Sequence, residues 1–71
     1  MLDGKDHQLT NRQKDILRLI AEGLTSEECG ARLNIGPKTV EFHAGLLQTK
    51  LGVNGRAGLI RYAIQTGIIK H

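Results

Sequence analysis

Apolar residues return every three to four positions along most of this chain, in four stretches set off by start and stop signals. That spacing predicts amphipathic helices. The first begins at Thr10, with Gln13 three residues on, a capping box. Ile16, Leu17, Ile20 and Leu24 continue on the face of Gln13, while Lys14, Asp15, Arg18 and Glu22 take the other. Arg18 and Glu22, four apart, are expected to pair, and Gly23 to end the helix. The second begins at Thr25, again with a capping box at Glu28, and Glu27 and Glu28 suit the positive end of its dipole. Cys29 and Leu33 point inward, Gly30 leaves room for another backbone, and the helix is expected to stop near Leu33–Asn34.

The third helix follows the tight connection "NIG". Gly36 is the expected N-cap, and Pro37 fits the first helical position, where no N–H is needed. Val40, Ala44, Leu47 and Leu51 form its apolar stripe, with His43 at the edge as a packed, hydrogen-bonded histidine. Lys38, Phe42, Gly45 and Thr49 fall opposite that stripe, with Leu46 to one side. Gly52 closes the helix and Val53 packs back. Asn54 is expected to cap the fourth, whose stripe is Leu59, Ile60, Ala63 and Ile64, with Gly67 as its stop. The tail "IIKH" has two apolar residues able to dock on the body. No period-two alternation of useful length appears. The expected fold is all-α, a compact four-helix bundle over residues 9–71, with residues 1–8 a polar linker remnant. A short helix, a tight turn and a longer helix together describe a helix-turn-helix.

Charge adds a direction to this picture. The chain of 71 residues has a formal net charge of +3. Residues 1–41 hold six basic and seven acidic side chains, a net −1; residues 42–71 hold Lys50, Arg56, Arg61 and Lys70 and no acid, a net +4. A basic half suits an anionic partner, nucleic acid first. One Phe and one Tyr are too few for base-stacking on single strands. A single Cys excludes an internal disulfide and fits a buried thiol in a reducing cytoplasm. His7, His43 and His71 lack metal spacing, so no metal or cofactor is expected. No nucleophile with a neighbouring base, carboxylate pair or phosphate loop is found, so no enzyme is expected either. No apolar run approaches a membrane span.

Four blocks make the pattern specific: "LTNRQKDILRLIAEGLTSEE", then L-x-I-x-x-K-T-V-E-F-H, then K-L-G-V-x-x-R-A, and "RYAIQTGII". Together, over roughly residues 9–69, they resemble the LuxR/FixJ-type (GerE-like) helix-turn-helix family. The resemblance implies the DNA-binding domain of a bacterial transcription regulator, as in the effector half of a two-component response regulator. It implies the third helix, 37–51, in the major groove of double-stranded DNA, and a homodimer on DNA through the fourth helix. An upstream receiver or sensor domain and a cytoplasmic location belong to the same expectation. The DNA-binding residues it suggests are Lys38, Thr39, Glu41, Phe42, Gly45, Leu46, Thr49, Lys50 and Arg56. Lys38 and Thr39 would meet phosphate at the helix N-terminus; Lys50 and Arg56 would touch backbone and position the domain.

The chain departs from its relatives at several points. Gln13 stands where Glu is usual, Cys29-Gly30 where Ile-Ala is usual, and Gly36 where Ser is usual. The Cys-Gly pair is expected to loosen the core contact of the second helix. On the outward face of the third helix, Ala44 and Gly45 replace common Arg or Lys, Leu46 replaces Asn, and Glu41 stands where Lys is frequent. Two readings follow. In one, Phe42 and Leu46 touch thymine methyls, Gly45 lets the helix sit close to the duplex and Glu41 accepts from cytosine. In the other, Phe42 and Leu46 dock a protein. Arg61, Tyr62 and Gln65 are the expected exposed side of the fourth helix, and the free domain is expected to be mainly monomeric.

Overall fold

A computed structural model describes residues 9–69. Four helices follow in order: α1 Asn11–Ala21, α2 Ser26–Leu33, α3 Pro37–Leu51 and α4 Gly55–Gln65, with no strand among the described residues. The fold is the all-α helix-turn-helix bundle expected from the pattern. The proposed linker, 1–8, and the end of the tail, Lys70 and His71, lie outside the described residues. None of the described helices is long and apolar enough to cross a membrane.

Both capping boxes form. Thr10 Oγ1 accepts from the Gln13 N–H at 3.0 Å and Gln13 Oε1 accepts from the Thr10 N–H at 3.1 Å. Thr25 and Glu28 repeat the exchange at 3.1 and 2.9 Å. Each box satisfies donors that a helix start leaves unpaired. The fourth helix starts differently from expectation. Asn54 occupies the N-cap, but its side chain makes no capping bond. Gln48, from the last turn of α3, accepts from the Gly55 N–H instead, at 3.0 Å.

The core draws on all four helices. Ile16, Leu17 and Ile20 of α1, Cys29 of α2, Val40, Leu47 and Leu51 of α3, and Leu59 and Ala63 of α4 are buried. Leu9 and Leu19, which the stripe did not include, are buried as well. Leu24 packs half-buried from the loop, because α1 already stops at Ala21. Ile64, assigned to the α4 stripe, is instead 39% exposed. A stripe of 3.6-residue period is wider than the contact a short helix makes, so one edge of it stays in water. Ile68 and Ile69 do fold back, with the Ile68 N–H donating to the Ala63 carbonyl at 2.9 Å. Arg18 pairs with Asp15 at 3.3 Å, one turn back, and not with Glu22.

The α2–α3 turn is tight for a local reason. Asn34 adopts left-handed φ/ψ of 61° and 44°, and both its N–H and that of Ile35 donate to the Gly30 carbonyl. The chain folds so closely over Gly30 that a Cβ there would lie 2.5 Å from the Ile35 carbonyl oxygen. Gly30 thus marks a close backbone approach, and the alanine usual in relatives at this position would fit here only with a shift of the turn. Beside it, Cys29 is fully buried, and burial pushes its thiol up from its ordinary value, partly opposed by Arg56. A buried thiol of that kind is a packing residue and is unreactive.

Candidate nucleic-acid interface

The outward face of α3 is a consequence of how its other face is fixed. Val40, Leu47 and Leu51 are locked into the core and Ala44 packs against it. Lys38, Thr39, Glu41, Phe42, Gly45, Leu46, Thr49 and Lys50 are consequently all exposed. At 3.6 residues per turn, Phe42 and Thr49 run down the middle of that face. Leu46 and Thr39 lie to one side of them, Lys38 and Gly45 to the other, and Lys50 and Glu41 mark its opposite edges. The eight residues thus share one continuous strip. Phe42 is 63% exposed and Leu46 37%.

The strip begins at an uncapped helix end. Gly36 has no side chain to offer and makes no capping bond, and Pro37 has no N–H. The Lys38 and Thr39 N–H groups therefore face outward with no intrahelical acceptor, beside the Lys38 ammonium. Such an end attracts an anion through both its donors and its dipole. Further along, the Thr49 hydroxyl donates back to the Gly45 carbonyl at 3.3 Å. Phe42 meets His43 edge-on, ring centroids 5.7 Å apart at 65°. His43 is half-buried as expected of a stripe-edge residue, but the hydrogen bond expected for it is absent at Nδ1, which is buried without a partner among the described residues.

Lys50 and Arg56, the two basic residues expected to touch DNA backbone, are each tied to another element. The Lys50 ammonium donates to Gln13 Oε1 at 3.3 Å, so the capping residue of α1 also holds the end of α3. This contact brings the first turn of α1, with exposed Arg12 and Lys14, beside the last turn of α3. Splitting the chain's charge at residue 41 hid that grouping. Arg56, in the first turn of α4, donates to the Leu24 carbonyl in the α1–α2 loop. That bond makes it first a clamp between α4 and the α1–α2 loop, although a guanidinium with five N–H donors has others to spare. Sequence reasoning missed Gln13 and Gln48 as positioning groups. Their signal was weak: a Gln that closes a capping box or ends a helix looks complete in sequence.

The family model for bacterial regulatory proteins of the luxR family (GerE) matches residues 7–63. The chain belongs to this family. It is a LuxR-type DNA-binding domain of the kind found in transcription regulators. The chain is 45% identical over 67 residues to the transcriptional regulatory protein MctR of Rhizobium johnstonii, covering 94% of this chain and 31% of that protein. It is 43% identical over 63 residues to the response regulatory protein YgeK of Escherichia coli, covering 89% of this chain and 43% of YgeK. Against the oxygen regulatory protein NreC of Staphylococcus aureus the identity is 36% over 62 residues, covering 87% and 29%. The LuxR-type chain thus spans less than half the length of these relatives. No solved structure gives a significant match.

Proposed function

We propose that this LuxR-type domain binds double-stranded DNA sequence-specifically by laying the exposed face of α3 in the major groove. The observation that carries the reading is the continuous strip from Lys38 to Lys50, fixed from behind by Val40, Leu47 and Leu51. A recognition helix needs that division of labour between a core stripe and a free face. Lys38, Thr39 and the open helix N-terminus meet phosphate at one end, Lys50 at the other. Glu41, Phe42, Gly45, Leu46 and Thr49 face base edges between them. Arg56 supports the docking geometry and reaches backbone phosphate with its remaining donors.

Two further elements belong to the proposal. The domain acts as a homodimer on paired half-sites through α4, and it is the effector part of a cytoplasmic regulator that senses through a receiver or sensor domain. The similarity to proteins named as response regulators supports the receiver. The domain itself is not an enzyme.

The test is a fluorescence titration against random-sequence duplex at low salt, with helical content followed by circular dichroism. Micromolar binding is expected, falling steeply with salt as counterions are released. Lys38→Ala and Lys50→Ala should each weaken binding on every sequence and lower the salt slope by about one. A folded domain that binds no duplex overturns the reading. The exposure of Phe42 favours one alternative, a module that docks a protein through Phe42 and Leu46. An NMR titration with duplex separates them: signals of residues 38–49 move under the first reading and stay still under the second.

A further inference from the structure

The strip on α3 carries a chemistry that prefers one edge of a base pair. Three large apolar side chains stand exposed among the described residues, Phe42, Leu46 and Ile64, and the first two share this strip. The Phe42 ring sits at its centre, meets His43 edge-on and is largely exposed. Gly45 adds no bulk next to it: a Cβ there would meet nothing within 4 Å, so the helix axis can approach a surface closely at that point. The other members of the strip are Lys38, Thr39, Glu41, Thr49 and Lys50. Asparagine and glutamine, which pair with adenine, and arginine, the commonest partner of guanine, are missing from it, and its two lysines stand at its ends.

In a major groove an exposed apolar side chain has one apolar counterpart, the C5-methyl of thymine. We infer that Phe42 and Leu46 read thymine methyl groups and thereby set the sequence preference of this domain. The inference rests on α3 lying in the groove as proposed above. Charge favours it over a protein partner. Lys38 and Lys50 stand about 18 Å apart along the helix, on either side of the apolar centre, and can reach the phosphate strands bordering a groove ~12 Å wide.

The experiment is selection of binding sites from a random-sequence duplex library with the unsubstituted domain. The enriched duplex is then remade with uracil in place of thymine, which removes the methyl and keeps the pairing. Thymine should be enriched in the half-site, and affinity should fall about fourfold for each contacted methyl. The double variant Phe42→Ala, Leu46→Ala, altered only at exposed positions, should bind the thymine and uracil duplexes equally, each about as weakly as the unsubstituted domain binds the uracil duplex, with the salt slope unchanged. Equal affinity of the unsubstituted domain for the two duplexes, or selection without thymine enrichment, overturns the inference and leaves groove binding intact. A thymine preference that survives in the double variant overturns the assignment to these residues. A folded domain that retains no duplex overturns the groove reading and this inference with it.

Discussion

Three hydrogen bonds tie Gln13 to Thr10 and Lys50, one through its backbone N–H and two through its side-chain oxygen. Its backbone N–H donates to Thr10, its Oε1 accepts from the Thr10 N–H, and the same oxygen accepts from the Lys50 ammonium. A neutral amide orients the ammonium without itself neutralising it. Glu at this position would close the same capping box and turn the Lys50 contact into an ion pair. Gln13 is buried and Lys50 exposed, so the new pair would be only partly screened by water. Gln13→Glu should therefore weaken DNA binding by at least the ~0.2–1 kcal/mol of an exposed ion pair, up to about fivefold or more. Titration of duplex at fixed low salt checks it; unchanged affinity would show that Lys50 acts without regard to its neighbour. The sequence showed the box but not the second use of the oxygen, because residues 13 and 50 meet only through the packing of α1 on α3.

At the scale of elements, α2 and α3 behave as one unit, because the turn between them closes onto Gly30. Helix propensity alone would favour alanine there by about 1 kcal/mol. The Ile35 carbonyl, 2.5 Å from where the new Cβ would stand, is backbone and can yield only by moving the turn. Overpacking of that kind costs ~1–3 kcal/mol. Gly30→Ala should consequently destabilise the domain by up to about 2 kcal/mol, a fall in Tm of up to roughly 13 °C by circular dichroism. A rise in Tm would mean that the turn relaxes freely. The room left by Gly30 was legible from its lack of a side chain. The tightness of the approach was not, since it depends on the left-handed Asn34 that redirects the chain. Helix four shows the same limit: its start looked capped by Asn54, and the cap comes from Gln48 across the α3–α4 turn.

For the whole molecule, the core and the exposed faces decide how the domain associates. The outer side of α4 carries Ala57, Arg61, Ile64 and Gln65, and only Ile64 among them is a large exposed apolar residue. That is too little apolar surface to hold two copies together without help. Sedimentation velocity of the free domain at micromolar concentration should give one species at the mass of a single chain. Paired half-sites would then supply the effective concentration that brings two copies together. A tight dimer without DNA would contradict this. Tyr62, expected on that outer side, is half-buried against the core instead, which narrows the free face further.

By itself the sequence determined the local structure of this protein. Spacing at 3.6 residues, two capping boxes, Pro37 at a helix start and Gly52 at a helix end specify four helices and a helix-turn-helix, because each signal acts within a few residues of chain. The candidate strip on α3 was legible in the same way, since one helix places residues 38 to 50 without reference to any other element. Only the tertiary structure decided the rest. It joined Lys50 to Gln13 and Arg56 to the Leu24 carbonyl, turned Ile64 outward and drew the turn down onto Gly30. Those outcomes depend on distances between residues far apart along the chain. Such distances are set by how four helices share one small core, and no periodicity within a single helix carries them.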